Sequence, residues 1–415
     1  MAVLIIEGGH RLAGTLEASG AKNSALPALV AAAFSDEPVY LEHVPRDADV
    51  ATMIHLLRTL GVTVEVGTGP GELRVLGSTL NSTEAPYELV RRMRASFYVA
   101  GLLLARRGEA TVPLPGGCAL GSRPVDYHLR GFEQLGAAIR IEGGSMRASA
   151  PWGLEGAEIH LSRPSVGATI QLMMASVLAR GTTVIRNAAR EPEVVDIANL
   201  LNSMGAHVRG AGTSLIRIKG TDRLHGTRYA VIPDRIETAT WLLAGAITGG
   251  EVTVRGALAE HLELPLMKLR EAGYRIEVTP DSVALFTPPG LLRPHPVDLE
   301  TAPYPGFPTD LQQPFAALLA VADGTSVVRE TIFDRFRYAD ELRRMGADIR
   351  VERDTAIIQG VARLTGARVE ATDLRGGAAL LLAALAADGE TLIERPEIID
   401  RGYEALEAKV RRLGG

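Results

Sequence analysis

Six times along the chain, a segment of charged and apolar residues at helical spacing runs into a small-residue turn, and an alternating segment follows. The six stretches are "LLRTLGVTVEV", "FEQLGAAIRI", "LNSMGAHVRG", "LREAGYRIEV", "LRRMGADIRV" and "VRRLGG". Their turn glycines, Gly61, Gly136, Gly205, Gly273, Gly346 and Gly414, lie 68 to 75 residues apart, so one unit is about 70 residues long. The spacing predicts a helix before each glycine, and glycine just past a helix is the expected C-cap. Upstream in each unit lies an Ala/Leu-rich segment such as "ALPALVAAAF" or "TIQLMMASVLA", apolar on most faces, which predicts a buried helix. A glycine and a short strand come next, as in "GEATVPLP", "GTTVIRNA", "GEVTVRGA" and "GETLIERP". Alternation in "ATVPL" and "TTVIRN" predicts half-buried strands. Each unit is expected to run strand, helix, strand, helix, strand, with helices packed under sheet.

Six units divide as three plus three. The sixth stops at Gly415, where the others begin their last strand, and the N-terminal segment "AVLII" is the candidate to fill that vacancy. The expected architecture is therefore α/β with two domains. Residues 22–231 form the first; residues 1–21 join 232–415 in the second, so the chain crosses twice. Ligands favour clefts between domains. The cationic and acidic candidates come from both halves, so substrate is expected to close them.

Composition narrows the function classes. The chain has 415 residues, a net charge of −5 and 5% aromatic residues, which argues against a nucleic-acid binder wanting a basic face and stacking rings. A single cysteine excludes an intrachain disulfide framework and suits a reducing cytoplasm. "MAVLIIEGGHRL" has no basic start and no cleavage site, so no signal peptide is expected. The longest apolar run, Ala378 to Ala387, is about half a membrane span and reads as a buried helix, with no membrane insertion. The nine histidines show no metal-ligand spacing, so no metal is expected.

Unusual polar residues collect in two places in the units: the start of the first helix and the loop after the short strand. "SGAKNSALP" places Lys22 and Asn23 at a helix start, and "MRASF" supplies Arg94. "GGCALGSRPVD" holds Cys118, Arg123 and Asp126; "SRPSVGAT", "PDRIETAT", "GFPTDLQQP", "FDRFR", "TDLRGGAA" and "IDRGYE" follow. Helix N-termini offer free N–H groups and a positive dipole end, which suits anions. Singly, each has a plain structural reading. Lys22 reads equally as a solvated cation, Asp310 as a helix N-cap, "RPVD" as a turn and cap, "DRGYE" as an acidic first turn and Cys118 as a small buried hydrophobe.

Taken together, "SGAKNSALP", "PGGCALGSRPVD", "SVGAT", "REPEVVD", "PDRIET", "FPTDLQ", "ATDLR" and "DRGYE" occur in this order over the whole chain. This set closely resembles the UDP-N-acetylglucosamine 1-carboxyvinyltransferase family, enolpyruvyl transferases that open bacterial peptidoglycan synthesis. The resemblance implies a two-domain inside-out α/β barrel with six repeats, three per domain. It also implies transfer of the enolpyruvyl group of phosphoenolpyruvate to the 3-hydroxyl of UDP-N-acetylglucosamine, with release of phosphate and no cofactor. Lys22, Arg123 and Arg401 are then implied to cradle the phosphate and carboxylate of phosphoenolpyruvate. Asn23 would touch the sugar or intermediate, and Arg94 would add charge. Cys118 matches the family's catalytic thiol, the proton donor to the methylene carbon and a target of the epoxide fosfomycin. Asp310 would take the proton of the sugar hydroxyl. Arg123, Pro124, Val125, Asp126 and Tyr127, with Arg163, Ser165, Val166 and Gly167, would hold the UDP part. Ile332 would line the sugar pocket, and Arg335, Asp373 and Arg375 would support the site from behind.

Four departures from the family pattern stand out. Tyr127 replaces the commoner Leu, and Arg163 replaces Lys, with a different geometry toward phosphate. "ETIFDRFRYADEL" is one residue shorter, and Gly376 and Gly377 stand where small polar residues are commoner. Two alternatives compete. The related 5-enolpyruvylshikimate-3-phosphate synthase lacks the "PGGC" cysteine and opens on a different lysine motif. A non-catalytic nucleotide-sugar-binding paralogue has no need of Lys22, Cys118, Arg123, Asp310 and Arg401 together.

Overall fold

A computed structural model of the chain describes residues 2–115 and 125–415. These residues form two compact units. The central unit holds 20–115 and 125–232; the terminal unit holds 2–19 and 233–415. Each has its own apolar core. One gathers buried residues between Ala21 and Val231, the other those from Ile6 to Ala18 together with Ile236 to Leu413.

The strands form six sheets. In one, Thr182–Arg186 pairs antiparallel with Leu215–Lys219, Ile185 opposite Ile216, and Leu215–Lys219 pairs antiparallel with His207–Arg209. Glu158–His160 lies parallel on the other side of Thr182–Arg186. The sheets built on Val39–Glu42, Glu251–Arg255 and Thr325–Arg329 have the same order. Their hairpin arms Leu73–Leu76, Ser282–Phe286 and Thr355–Gln359, like Leu215–Lys219, are strands that the expected five-element unit does not contain.

Edge strands tie the sheets of each unit together. Arg228–Ala230, near the end of the central unit, lies parallel to Val39–Glu42 in its first sheet. In the terminal unit Ala13–Glu17 lies parallel to Glu251–Arg255. Val3–Glu7 pairs antiparallel with Glu390–Glu394, Ile5 opposite Leu392, where other sheets have their own hairpin arm. The N-terminal strand thus joins the last sheet, in the place of a hairpin arm and not of the expected strand after the turn glycine.

All six turn glycines adopt positive φ, between 90° and 101°. Each follows a helix and closes it with the same pair of bonds. After Ala48–Thr59, Gly61 N donates to Arg58 O and Val62 N to Leu57 O; after Tyr338–Arg344, Gly346 N donates to Arg343 O and Ala347 N to Leu342 O. A side chain at the left-handed position would be strained, which explains the glycine.

Three largely buried helices pack together in each unit: Lys22–Ala32, Val99–Arg107 and Val166–Ser176 in one, Arg235–Ile247, Gln312–Leu319 and Leu374–Ala386 in the other. Leu374–Ala386 buries every residue from Arg375 to Leu385. Polar candidates lie at the starts of these helices, where backbone N–H groups have no partner within the helix. Among the described residues no helix is long and apolar enough to cross a membrane.

Candidate active site

In the central unit Lys22 is the first residue of helix Lys22–Ala32, whose N-cap Ala21 offers no side-chain cap. The Lys22 side chain is 10% exposed, and its Nζ stands 3.4 Å from Oδ2 of Asp49, itself 6% exposed. Asn23 is half-buried beside it. Ser24 pins this helix start by donating to Asp196, which also accepts from Tyr229 Oη at 2.5 Å. Burial raises the pKa of Asp196 against these two donors.

Arg94 opens the turn Arg94–Tyr98, ahead of helix Val99–Arg107. Next to it lies His128, buried, with its ring edge-on to Phe97 at 5.5 Å and its Nδ1 against Gln171 Oε1. Gln171 Nε2 in turn donates to Phe97 O at 2.8 Å. Burial, reinforced by the charge of Arg94, pulls the His128 pKa down to about 4. A neutral ring is thereby kept behind a cation.

Val125 precedes helix Asp126–Gln134, with Asp126 and Tyr127 in its first turn. Tyr127 Oη lies 2.7 Å from Ser162 Oγ, which brings this turn to the 162–167 segment. There Arg163 is exposed, and Ser165 caps helix Val166–Ser176 by accepting from Ala168 N at 3.3 Å. Gly167 lies under His128, where an added Cβ would sit 3.5 Å from the ring. Cys118, Arg123 and Pro124 lie outside the described residues.

The terminal unit assembles a tighter cluster. Asp310 lies in the turn Thr309–Leu311 just before helix Gln312–Leu319. Arg335 Nη1 donates to Asp310 Oδ1 at 2.6 Å and to Thr309 O at 3.0 Å. Arg375 donates to Oδ2 from Nη2 at 3.1 Å and from Nε at 3.3 Å. The arginines are 5% and 3% exposed, the aspartate 22%. Burial works against the charge of Arg375, but Tyr403, Asp310 and Asp234 outweigh it, so its pKa lies above the ordinary value. Leaving either partner alone in such a site would be costly, so the three groups stand as one unit.

Asp373 is a helix cap: its Oδ1 accepts from Arg375 N at 3.0 Å and Gly376 N at 3.1 Å. Gln313 also donates to it at 3.1 Å. Ile332 is half-buried in the loop after Thr325–Arg329, and Arg401 ends the turn Pro396–Arg401. Three buried polar groups were not read from the sequence: Asp49 beside Lys22, the His128–Gln171 pair, and Glu330. Only the "DYH" of His128 lay next to a motif that drew notice. Among the described residues no cluster of three metal-ligating side chains occurs.

The chain is 53% identical over 411 residues to the UDP-N-acetylglucosamine 1-carboxyvinyltransferase of Gluconacetobacter diazotrophicus, covering 99% of this chain and 97% of the relative. It is 50% identical over 415 residues to UDP-N-acetylglucosamine 1-carboxyvinyltransferase 3 of Caldanaerobacter subterraneus subsp. tengcongensis, covering 100% and 98%. The chain belongs to this family. The broader family described as EPSP synthase (3-phosphoshikimate 1-carboxyvinyltransferase) matches residues 6–410. Among solved structures, the enolpyruvyl transferase NikO from Streptomyces tendae superposes with a TM-score of 0.89 at 28% identity, covering 99% and 97%. EPSP synthase from Acinetobacter baumannii, with a TM-score of 0.76 at 19% identity, shares the mixed α/β fold and covers 99% and 98%.

Proposed function

We infer that the protein transfers the enolpyruvyl group of phosphoenolpyruvate to the 3-hydroxyl of UDP-N-acetylglucosamine and releases phosphate, the opening reaction of peptidoglycan synthesis. The observation that carries this is identity of 50–53% over essentially the whole chain to enzymes of that name. EPSP synthase chemistry has weaker support, since the solved example shares only 19% of residues. The non-catalytic alternative fits poorly with a carboxyl group oriented by two buried arginines.

The reaction needs one group to take a proton from the sugar hydroxyl and one to deliver a proton to the methylene carbon. Asp310 takes the first and Cys118 gives the second. Protonating the methylene carbon of phosphoenolpyruvate makes its central carbon cationic, and the sugar oxygen bonds there to give a tetrahedral intermediate. The new methyl group then gives a proton back to the thiolate left on Cys118, and that electron pair re-forms the carbon–carbon double bond as phosphate departs with the pair of the breaking carbon–oxygen bond. Lys22, Arg123 and Arg401 hold its charge, with Arg94 adding to the field. Asn23 contacts the sugar; Arg123 to Tyr127 and Arg163 to Gly167 hold the UDP part; Ile332 lines the sugar pocket. No cofactor takes part. We read the two units as the family's two domains, 22–231 and 1–21 with 232–415, each a threefold inside-out barrel, and place the enzyme in the cytoplasm.

Phosphate release with phosphoenolpyruvate tests the reading. Turnover is expected with UDP-N-acetylglucosamine as acceptor and none with shikimate-3-phosphate; the reverse result would overturn it. Fosfomycin should modify Cys118, detected by mass spectrometry, and Cys118→Ser should lose both the label and most turnover.

A further inference from the structure

One buried carboxyl group in the terminal unit is used by none of this chemistry. Glu330 follows strand Thr325–Arg329 and is 3% exposed. Its Oε1 accepts from Thr301 Oγ1 at 2.8 Å, Ile332 N at 2.8 Å and Phe333 N at 3.1 Å. Its Oε2 accepts from Thr309 Oγ1 at 2.8 Å. Thr301 is locked to the same loop, accepting from Thr331 N at 2.9 Å and from Thr331 Oγ1 at its carbonyl at 2.6 Å.

These bonds close a ring around Asp310. Thr309 is its chain neighbour. From the other side, Arg335 reaches Thr309 O and Asp310 Oδ1, and Arg335 lies two residues beyond Phe333, whose N–H Glu330 holds. The Arg335 guanidinium also sits 5.2 Å from the Phe333 ring centroid. A carboxyl group is a poor filler for a buried site, because its lost hydration must be offset by donors. An apolar side chain would fill the space as well. What it would not do is fix three backbone stretches in direction as well as distance.

We propose that Glu330 is a positioning residue, setting the Thr309–Asp310 turn and the Ile332 loop in one geometry toward the acceptor sugar. This rests on reading Asp310 as the group that takes the hydroxyl proton and Ile332 as a wall of the sugar pocket. Glu330→Gln keeps the length of the side chain but offers an acceptor oxygen on one side only. Thr309→Val removes the Oε2 bond with little change of shape.

The test compares kcat, both KM values and the melting temperature for Glu330→Gln, Thr309→Val, the double variant and Asp310→Asn. Glu330→Gln should lose about tenfold in kcat/KM for UDP-N-acetylglucosamine, since small misplacement of reacting groups is expensive, with KM for phosphoenolpyruvate changed by less than about twofold. Thr309→Val should move the same parameters less, and the double variant should be no worse than Glu330→Gln, because both remove one link. A lowered melting temperature with kcat and both KM values unchanged makes Glu330 purely structural and overturns the proposal. Should Glu330→Gln fail to fold, Thr309→Val decides alone, and unchanged kcat/KM overturns it. If Asp310→Asn turns over normally, the reading of Asp310 falls and this proposal with it. If Asp310→Asn is inactive while Glu330→Gln is normal, only the proposal falls.

Discussion

In the central unit the ammonium of Lys22 stands 3.4 Å from one carboxyl group, Asp49; in the terminal unit both oxygens of Asp310 are gripped by guanidinium groups, at 2.6 and 3.1 Å. At 3.4 Å that ion pair is held by charge more than by a directed bond, and an ammonium is a point charge rather than a planar fork. A carboxyl group held on both oxygens is fixed in direction. On the proposed roles, one unit receives charge and the other aims a single atom. Rigid orientation belongs where a proton moves, because proton transfer depends on geometry before pKa.

The comparison breaks most readily at its two central residues. Asp310→Asn should lower kcat about a thousandfold, within the range for a lost general base, with little change in either KM. Lys22→Met should act mainly on the phosphoenolpyruvate side, raising its KM by roughly tenfold or more through a lost charge-assisted contact. Steady-state kinetics that move the same parameter in both variants would show that the two units do not divide the work in this way.

A second test uses pH. The His128 side chain has a pKa near 4 in the folded protein, against an ordinary 6.5. Between these values the unfolded chain binds a proton that the folded protein refuses, so the stability from this group is complete above 6.5 and is lost as pH falls toward 4. Below that it contributes no further loss. The effect is at most about 3 kcal/mol. His128→Asn should therefore lose less stability than the parent between pH 6.5 and 4, measured by denaturant unfolding. Equal slopes for the two proteins would mean that His128 is already charged beside Arg94.

How far the sequence revealed this arrangement depended on distance along the chain. Features set by neighbours were legible: the glycine closures at Gly61 and its five counterparts, the buried helices, and Lys22 at a helix start. Asp310 after Thr309 read equally as a cap, because nothing local distinguishes a cap from an ion-pair partner. Its ion-pair partners, Arg335 and Arg375, stand 25 and 65 residues further on. Glu330 and Asp49 were invisible for the same reason. A glutamate after a strand or an aspartate opening a helix is ordinary surface chemistry until tertiary contacts bury it.

The arginine pair gives a sharper test at smaller cost. Arg375→Lys keeps the charge but replaces a two-atom grip on Oδ2 with a point donor on a flexible stem. Turnover should fall about tenfold with KM nearly unchanged, since the carboxyl group stays neutralised but loses its fixed direction. If Arg375→Lys instead matches Asp310→Asn, charge and not aim is what the arginine supplies.

The smallest effect is expected at Tyr127, on the receiving side. Its hydroxyl meets Ser162 at 2.7 Å, and Ser162 is exposed, so water can replace either partner when the other is removed. Its ring packs against the central core as a partly buried side chain, and leucine has comparable apolar reach. Tyr127→Leu should therefore change stability by less than about 1 kcal/mol. What it does remove is a link between the turn that begins helix Asp126–Gln134 and the segment that leads into Ser165. If those two stretches hold opposite sides of the UDP group, loosening them should raise KM for UDP-N-acetylglucosamine by about twofold to threefold, the worth of one exposed hydrogen bond, and leave kcat alone. A fall in kcat would mean that alignment of the reacting groups reaches into the central unit's rim, and the division between a receiving unit and an aiming unit would have to be redrawn there.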